Sequence, residues 1–423
     1  MRPIVVVPFA SAIHGKEYYL HVFEIFKKYF AKYDVVLHPE VVTDREKAEE
    51  LGKKYCDHIP VALALTGGTS KLITSFAAAG DYDRMVIVAH SEHNSLPSAI
   101  SARARLELQG LWTWVFHCHD IASKECELVV DRAMRVLEPI AIMLSSRIGV
   151  IGVDRVEEQE ELKARFDIEV VTISFDEVEE LASNVDKKSV EQFVEEFEPL
   201  VVEGLRKDIL EDVARLYLAL KTLVQKRDLM GIAIDCFPFI EQRGYTPCLA
   251  LAKLCSDGIP VACEADIRSL LLMNIARYLA GHVGWMLNAV TFNGRYGYFA
   301  HCTLPLSIAK RPRLVTHFET EKPYAVASDV ENNVWTIASL SHDYSLLAVG
   351  VGRKIAGGLL YNSMCRSQIV LEFDYDVEGL PLVAPANHHV AMKGDVRRDL
   401  RIVAELLGID YADYSELLEY SEV

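Results

Sequence analysis

The sequence predicts an α/β protein in three parts, and three observations carry that expectation. The first stretch of about 140 residues alternates short apolar runs with amphipathic segments. A second alternation of the same kind runs from Arg147 to Gly281. After Gly281 the helical periodicity fades, and short β-branched or aromatic runs separated by turn residues take over. Strand–helix alternation builds parallel sheets, whereas closely spaced strands build an antiparallel barrel or sandwich. The expected parts are an N-terminal α/β domain over 1–145, a second α/β domain over 146–290, and a C-terminal antiparallel, barrel-like domain over 291–423.

In the first part the candidate strands are Ile4–Pro8, Asp34–Leu37, Pro60–Leu65, Met85–Ala89 and Leu111–Phe116. Helical patterns lie between them at Lys16–Tyr33, Arg45–Cys56, Ser70–Ala79 and Ser98–Gln109, and another follows at Ala122–Leu144. The expected arrangement is flavodoxin-like. The second part has strands at Arg147–Asp154, Ile168–Ile173, Gly231–Asp235 and Pro260–Cys263, with helices at Thr246–Cys255 and Ala265–Ala280. Its acidic run Glu177–Glu180 reads as a solvated helix face. The third part has strands at Tyr298–His301, Leu314–His317, Val334–Leu340, Ser345–Val351 and Gln368–Glu372, then a helix at Val396–Leu407.

Composition narrows the function. A chain of 423 residues is long for a single core. Its 51% hydrophobic fraction, with 23 Gly and 15 Pro, marks a compact chain without a large disordered part. With 44 basic and 61 acidic side chains the formal charge is -17, which argues against nucleic-acid binding. No apolar run approaches the ~18 residues that span a bilayer. The opening MRPIVVVPFA reads as a buried strand rather than a signal peptide, so a cytoplasmic protein is expected. None of the nine cysteines forms a Cys-x-x-Cys pair, so neither a zinc ribbon nor a disulfide framework is expected.

Open parallel sheets bind ligands at the carboxyl ends of their strands. In the first part those ends carry His14, Thr66-Gly67-Gly68-Thr69-Ser70, His90-Ser91-Glu92-His93-Asn94 and His117-Cys118-His119-Asp120. His14, His90, His93 and Asn94 are therefore candidate substrate contacts. Gly67 and Gly68 would let backbone N–H groups approach an anion or hydroxyl. His117 and His119 share a strand face and form an alternative metal pair, as in a metal hydrolase. Polar lining is the simpler reading of that pair. Dinucleotide and Walker fingerprints are absent.

The densest chemistry lies further on. Cys263-Glu264-Ala265-Asp266 is followed 24 residues after Glu264 by Asn288, and near the C-terminus by Asn387-His388-His389. Carboxylate, amide and imidazole are the groups that would gather around one oxygen-preferring divalent cation. Such a cation suits proton movement beside a carbonyl.

From Asp235 onward, over roughly the last 190 residues, the chain resembles the L-fucose isomerase and L-arabinose isomerase group, especially its shorter fucose isomerase-like members. The matching text is PCLALA from Pro247, GIPVACEAD from Gly258, YLAG from Tyr278, HCTLP from His301, MCRSQ from Met364 and NHHVAMKGD from Asn387. HSEHNSLPS at His90–Ser98 is similar to an N-terminal segment of that group. The resemblance implies aldose–ketose isomerisation of a pentose, deoxyhexose or modified hexose through an ene-diol. It also implies Mn²⁺ or another divalent cation such as Mg²⁺ or Co²⁺. A homotrimer or homohexamer is implied too, with one subunit completing another's site.

Carried over, Glu264 is both catalytic carboxylate and metal ligand, and His389 is the imidazole ligand, with His388 the lesser candidate. Asn288 stands where the group has an aspartate, and an amide takes no proton. The second acid or base is then sought among Asp235, Glu241 and Asp266, with Asp235 ranked first. His301 fits a ligand or a substrate contact, and Arg366 fits a substrate contact. A sugar-binding protein that keeps the fold with a degraded site is the competing expectation.

Overall fold

The computed structural model describes residues 2–420. They form two compact units, each with its own core. One comprises the chain up to Leu144 together with Leu400–Ile409, and the other comprises Ser145–Asp399 and the chain from Asp410.

The first unit holds strands β1 (Ile4–Phe9), β2 (Val36–Leu37), β3 (Ile59–Ala64), β4 (Arg84–His90) and β5 (Trp112–Cys118). They form one sheet in the order β2-β1-β3-β4-β5, parallel at every pairing. Every residue of β1, β3 and β4 is buried, as a sheet covered on both faces by helices requires. That is why these strands read as unbroken apolar runs. The returning segment Leu400–Ile409 is tied in by Arg84, whose Nη1 donates to the Leu406 carbonyl at 2.8 Å. Cys118 and Cys126 form a disulfide across the loop after β5. It is a single bridge rather than a disulfide framework; the pair is eight residues apart and has no Cys-x-x-Cys signature.

In the second unit β6 (Arg147–Ile151), β7 (Glu169–Ile173), β8 (Gly231–Ile234) and β9 (Val261–Ala262) make a parallel sheet in the order β7-β6-β8-β9. The chain then enters a closed antiparallel barrel. Its strands are β10 (Trp285–Asn293), β11 (Tyr296–His301), β14 (Val334–Leu340), β15 (Leu346–Gly358), β16 (Ser367–Phe373) and β17 (His388–Lys393). The ring runs β14-β17-β10-β11-β16-β15 and closes through β14–β15 pairing. Closure gives each of these six strands a barrel neighbour on both sides over at least part of its length. Between β11 and β14 the hairpin of β12 (Lys310–Thr316) and β13 (Pro323–Asp329) forms a two-stranded sheet of its own, packed against β15 and β16. A short β18 (Asp410–Asp413) adds in parallel to β15.

Two barrel strands, β10 and β17, have no counterpart in the sequence reading. The helix Ile267–Leu279 packs against β14 and β17, so part of the barrel's outer face is also covered. Trp285, Met286 and Leu287 are consequently all buried, and the alternation that marks a half-exposed strand disappears. Gly284 permits this close approach, since a Cβ there would come within 2.3 Å of Val390 Cγ1.

Candidate metal centre

Glu264 follows β9, at the carboxyl end of a parallel strand, where such sheets present functional groups. The chain turns sharply there. Glu264 and Ala265 both take left-handed backbone conformations, with φ of 56° and 49°. Neither is glycine, so the turn carries strain of the kind that collects at functional sites. The turn is held by Ala265 N–H donating to Ile234 O at 2.9 Å. Asp266 then caps the following helix, accepting from Ser269 N–H at 3.1 Å.

Two imidazoles reach Glu264. His388 opens β17; its Nδ1 lies 2.7 Å from Asp266 Oδ2 and its Nε2 lies 3.5 Å from Glu264 Oε2. The second distance is that of an ion pair without hydrogen-bond geometry, and His388 Nε2 is buried with no hydrogen-bond partner. His301 ends β11; its Nδ1 lies 2.9 Å from Thr303 Oγ1 and its Nε2 lies 3.9 Å from Glu264 Oε1. Ligand atoms of Glu264, His301 and His388 all fall within 4.8 Å of one another. They are the only His, Cys, Asp or Glu group with metal-site spacing among the described residues.

These residues fit a divalent ion. Ligands about 2.0–2.2 Å from one ion stand about 3–3.5 Å from each other; Glu264 and His388 are at 3.5 Å, and Glu264 and His301 are slightly wider at 3.9 Å. Each imidazole commits Nδ1 to an orienting oxygen and keeps Nε2 for the centre. A carboxylate–histidine pair such as Asp266–His388 is the usual outer support of a metal-bound imidazole. The buried, unpartnered Nε2 of His388 is costly unless something binds it.

Electrostatics agree with the geometry. Burial pulls the His388 imidazole down, but hydrogen bonding to Asp266 and the charges of Asp266 and Glu264 outweigh it and lift it to about 9. Without an ion, His388 is therefore an imidazolium between two carboxylates. Glu264 is held below its ordinary value, chiefly by His388. Burial pushes Asp266 up, yet the His388 and Arg268 contacts hold it far below the usual carboxylate range. Burial lowers His301 to about 4, so it is neutral and ready to coordinate at neutral pH.

A pH dependence follows. An ion must displace the proton from His388, so apparent affinity should rise about tenfold per pH unit from neutrality up to about 9, then level off. The ion-free protein should behave in the opposite sense. The raised His388 contributes stability that is full below its unfolded value of 6.5 and lost as pH climbs through about 9. Calorimetric titration with Mn²⁺ across this range, beside thermal melts in EDTA, checks both trends. Affinity independent of pH would contradict them.

Two cavities meet at Glu264. One of about 880 Å³ is lined by Arg155, Glu158, Asp266, Arg268, Tyr344 and His388 as well as Glu264. The other, of about 250 Å³, is lined by Glu264, Asn288, His301, His317, Glu319 and Asn387 together with Phe237 and five cysteines.

The sequence-derived candidates divide. Glu264 is in the centre, and His301, expected as a ligand or substrate contact, is one of its imidazoles. His389 is not, which corrects the preferred ligand assignment. Its Nε2 lies 2.7 Å from Tyr414 Oη and its Nδ1 3.0 Å from Asn387 O, and it is fully buried against Phe299. Asn288 pairs across from His388 and lines the smaller cavity, with its Oδ1 accepting from Asn387 Nδ2 at 2.7 Å. Asp235 sits just beyond β8, where burial and the Glu264 charge raise its carboxyl against the pull of Arg155.

Arg366 is turned to the backbone, with Nε donating to Thr316 O at 2.7 Å and Nη1 to Asn362 O at 3.1 Å. It braces a turn, which corrects its assignment as a substrate contact. In the first unit His14 and His93 do come together, Nδ1 to Nδ1 at 3.3 Å, and Tyr18 stacks on His93. Asn94 adjoins them with φ of 59°. His90 is fully buried, with Nε2 3.0 Å from Leu65 O and Nδ1 accepting from Glu92 N–H. It is a satisfied core histidine rather than a substrate contact. His117 and His119 are exposed and join no ligand group. Asp266, a candidate acid or base from sequence, instead supports the His388 ring, whereas Thr303, Glu319 and the place of His317 in the smaller cavity were not foreseen.

No protein-family model matches the chain, and no curated protein matches it. No helix among the described residues is long and apolar enough to cross a membrane.

Proposed function

We propose that this protein is a divalent-metal-dependent aldose–ketose isomerase acting on a pentose, deoxyhexose or modified hexose. The observation that carries the reading is the convergence of Glu264, His301 and His388 beside a sugar-sized cavity. The motif succession that resembles the fucose and arabinose isomerase group supports it. So does the order of the first sheet, β2-β1-β3-β4-β5, which is the flavodoxin-like order. We place the protein in that group, in the cytoplasm, as a homotrimer or homohexamer.

A divalent cation, Mn²⁺ ahead of Mg²⁺ or Co²⁺, would supply Lewis-acid polarisation of O1 and O2 of the open-chain sugar. Glu264, His301 and His388 would hold it. Asp266 and Thr303 fix the two rings, keeping each Nε2 toward the centre. Asn288 and Asn387 offer amide groups to sugar hydroxyls. Phe237 and the thiols of Cys236, Cys248, Cys263, Cys302 and Cys365 give the smaller cavity walls with little hold on water. Asp235, whose carboxyl is raised chiefly by burial, is the sequence-derived candidate for the second acid or base, but it lines neither cavity.

The test is proton exchange at C2 in D₂O over a panel of aldoses, read by NMR with Mn²⁺ and with EDTA. The isomerase should incorporate deuterium into one sugar only when the ion is present. Glu264→Gln should reduce that exchange by about 10²–10⁴-fold. Two other readings have specific support. Asn288 favours a sugar-binding protein, for which Glu264→Gln would leave much of the ligand affinity. A donor set of two imidazoles and one carboxylate also serves hydrolytic and oxygen-activating centres. Protein that holds Mn²⁺ and exchanges no aldose would favour these over isomerisation.

A further inference from the structure

We propose that His317, supported by Glu319, is the base that carries the substrate proton between C2 and C1. This rests on the isomerase reading above and supplies the proton carrier that Asn288 cannot be. Glu264 is committed to holding the cation, so ene-diol chemistry needs another group within reach of the same cavity. His317 and Glu319 line the 250 Å³ cavity together with Glu264, Asn288 and His301. Asp235 lines neither of the two cavities that meet at Glu264.

His317 is firmly placed, and Glu319 stands half exposed beside it. The pair sits on the turn between β12 and β13, where His317 N–H donates to Lys322 O at 2.8 Å and Glu321 N–H donates to His317 O at 3.0 Å. Arg366 braces that turn through Thr316 O, and its guanidinium lies over the Phe318 ring at 5.8 Å. The His317 ring is buried edge-on to Phe237. Its Nδ1 lies 3.3 Å from Thr320 Oγ1, and its Nε2 lies 4.0 Å from Glu319 Oε2. A catalytic group held this way keeps its geometry through turnover.

The chemistry balances without a co-reactant. With the proton on Nδ1 facing Thr320, Nε2 carries the lone pair. It takes the C2 proton as the C–H pair forms the C1–C2 double bond and the C1 carbonyl pair moves to O1. The O2 hydroxyl proton passes to O1, the C2–O bond closes to a carbonyl, and His317 returns its proton to C1. Burial keeps the free imidazole neutral at neutral pH, and the Glu319 carboxylate stabilises the imidazolium while it lasts.

The experiment compares wild type, His317→Asn, Glu319→Gln and Asp235→Asn, each loaded with Mn²⁺. Ion binding is followed by EPR, and C2 exchange by NMR over the aldose panel. His317→Asn should bind Mn²⁺ as wild type does and lose exchange by about 10²–10⁴-fold. Glu319→Gln, a milder change that serves if His317→Asn fails to fold, should lose exchange by about tenfold or more, again with Mn²⁺ binding intact. Exchange within about threefold of wild type in both variants overturns the assignment and leaves the isomerase reading standing. Loss confined to Asp235→Asn also overturns it and moves the role to that carboxylate. Wild type that binds Mn²⁺ and exchanges no aldose removes the isomerase reading, and this assignment with it.

Discussion

His388→Ala should abolish tight binding of a divalent cation, while His389→Ala should leave it intact. The two residues are adjacent, yet they lie on opposite faces of β17, because successive strand side chains alternate. His388 meets Glu264 and Asp266; His389 meets Tyr414 and Phe299. Losing His388 removes one of three ligands and leaves the buried Asp266 without its imidazole. The loss should exceed the 10–100-fold that changes to supporting residues typically bring. Asp266→Asn should fall within that range. His389→Ala should act on stability instead, through the cavity it leaves and the hydrogen bond Tyr414 loses, a cost of about 1–3 kcal/mol. Mn²⁺ titration beside urea unfolding separates the two effects. Equal metal affinity in both variants would contradict the assignment.

Trp335→Ala should destabilise the second unit by about 3–5 kcal/mol, the usual cost of deleting a buried tryptophan. Trp335 is fully buried on β14, the strand that closes the barrel by pairing with both β15 and β17. It faces Gly352 on one neighbour and Lys393 on the other, and its Nε1 donates to Glu331 O at 3.3 Å. The His282 ring approaches it edge-on, with the centroids 6.2 Å apart. Because β17 also carries His388, the variant should weaken metal binding when the barrel loosens. Urea unfolding gives the first number, and a loss below about 1 kcal/mol would mean that closure does not depend on this ring.

How far the sequence foretold this arrangement depended on what each stretch had to bury. The parallel strands β1, β3 and β4 are apolar throughout, and both their presence and their approximate limits followed from composition. Strands β10 and β17 escaped because one is apolar without alternation and the other begins with two histidines. Recognising β17 as a strand would have shown that only one of His388 and His389 can face Glu264. His301 was visible as a candidate, but its place beside Glu264 depends on β11 pairing in the barrel, a long-range fact that spacing does not encode. His90 misled because a strand-end histidine reads the same whether it faces a crevice or satisfies a buried carbonyl. Arg366 misled similarly, since a guanidinium spent on backbone oxygens leaves no local trace in sequence.

The central claim is that Glu264, His301 and His388 hold one divalent ion. Pulsed EPR of Mn²⁺ bound to protein carrying ¹⁵N-labelled histidine tests it most directly, because each coordinating imidazole adds a resolvable nitrogen coupling. The account predicts two such couplings, one lost in His301→Ala and the other in His388→Ala, with His389→Ala unchanged. No histidine coupling, or a coupling lost only in His389→Ala, would contradict it.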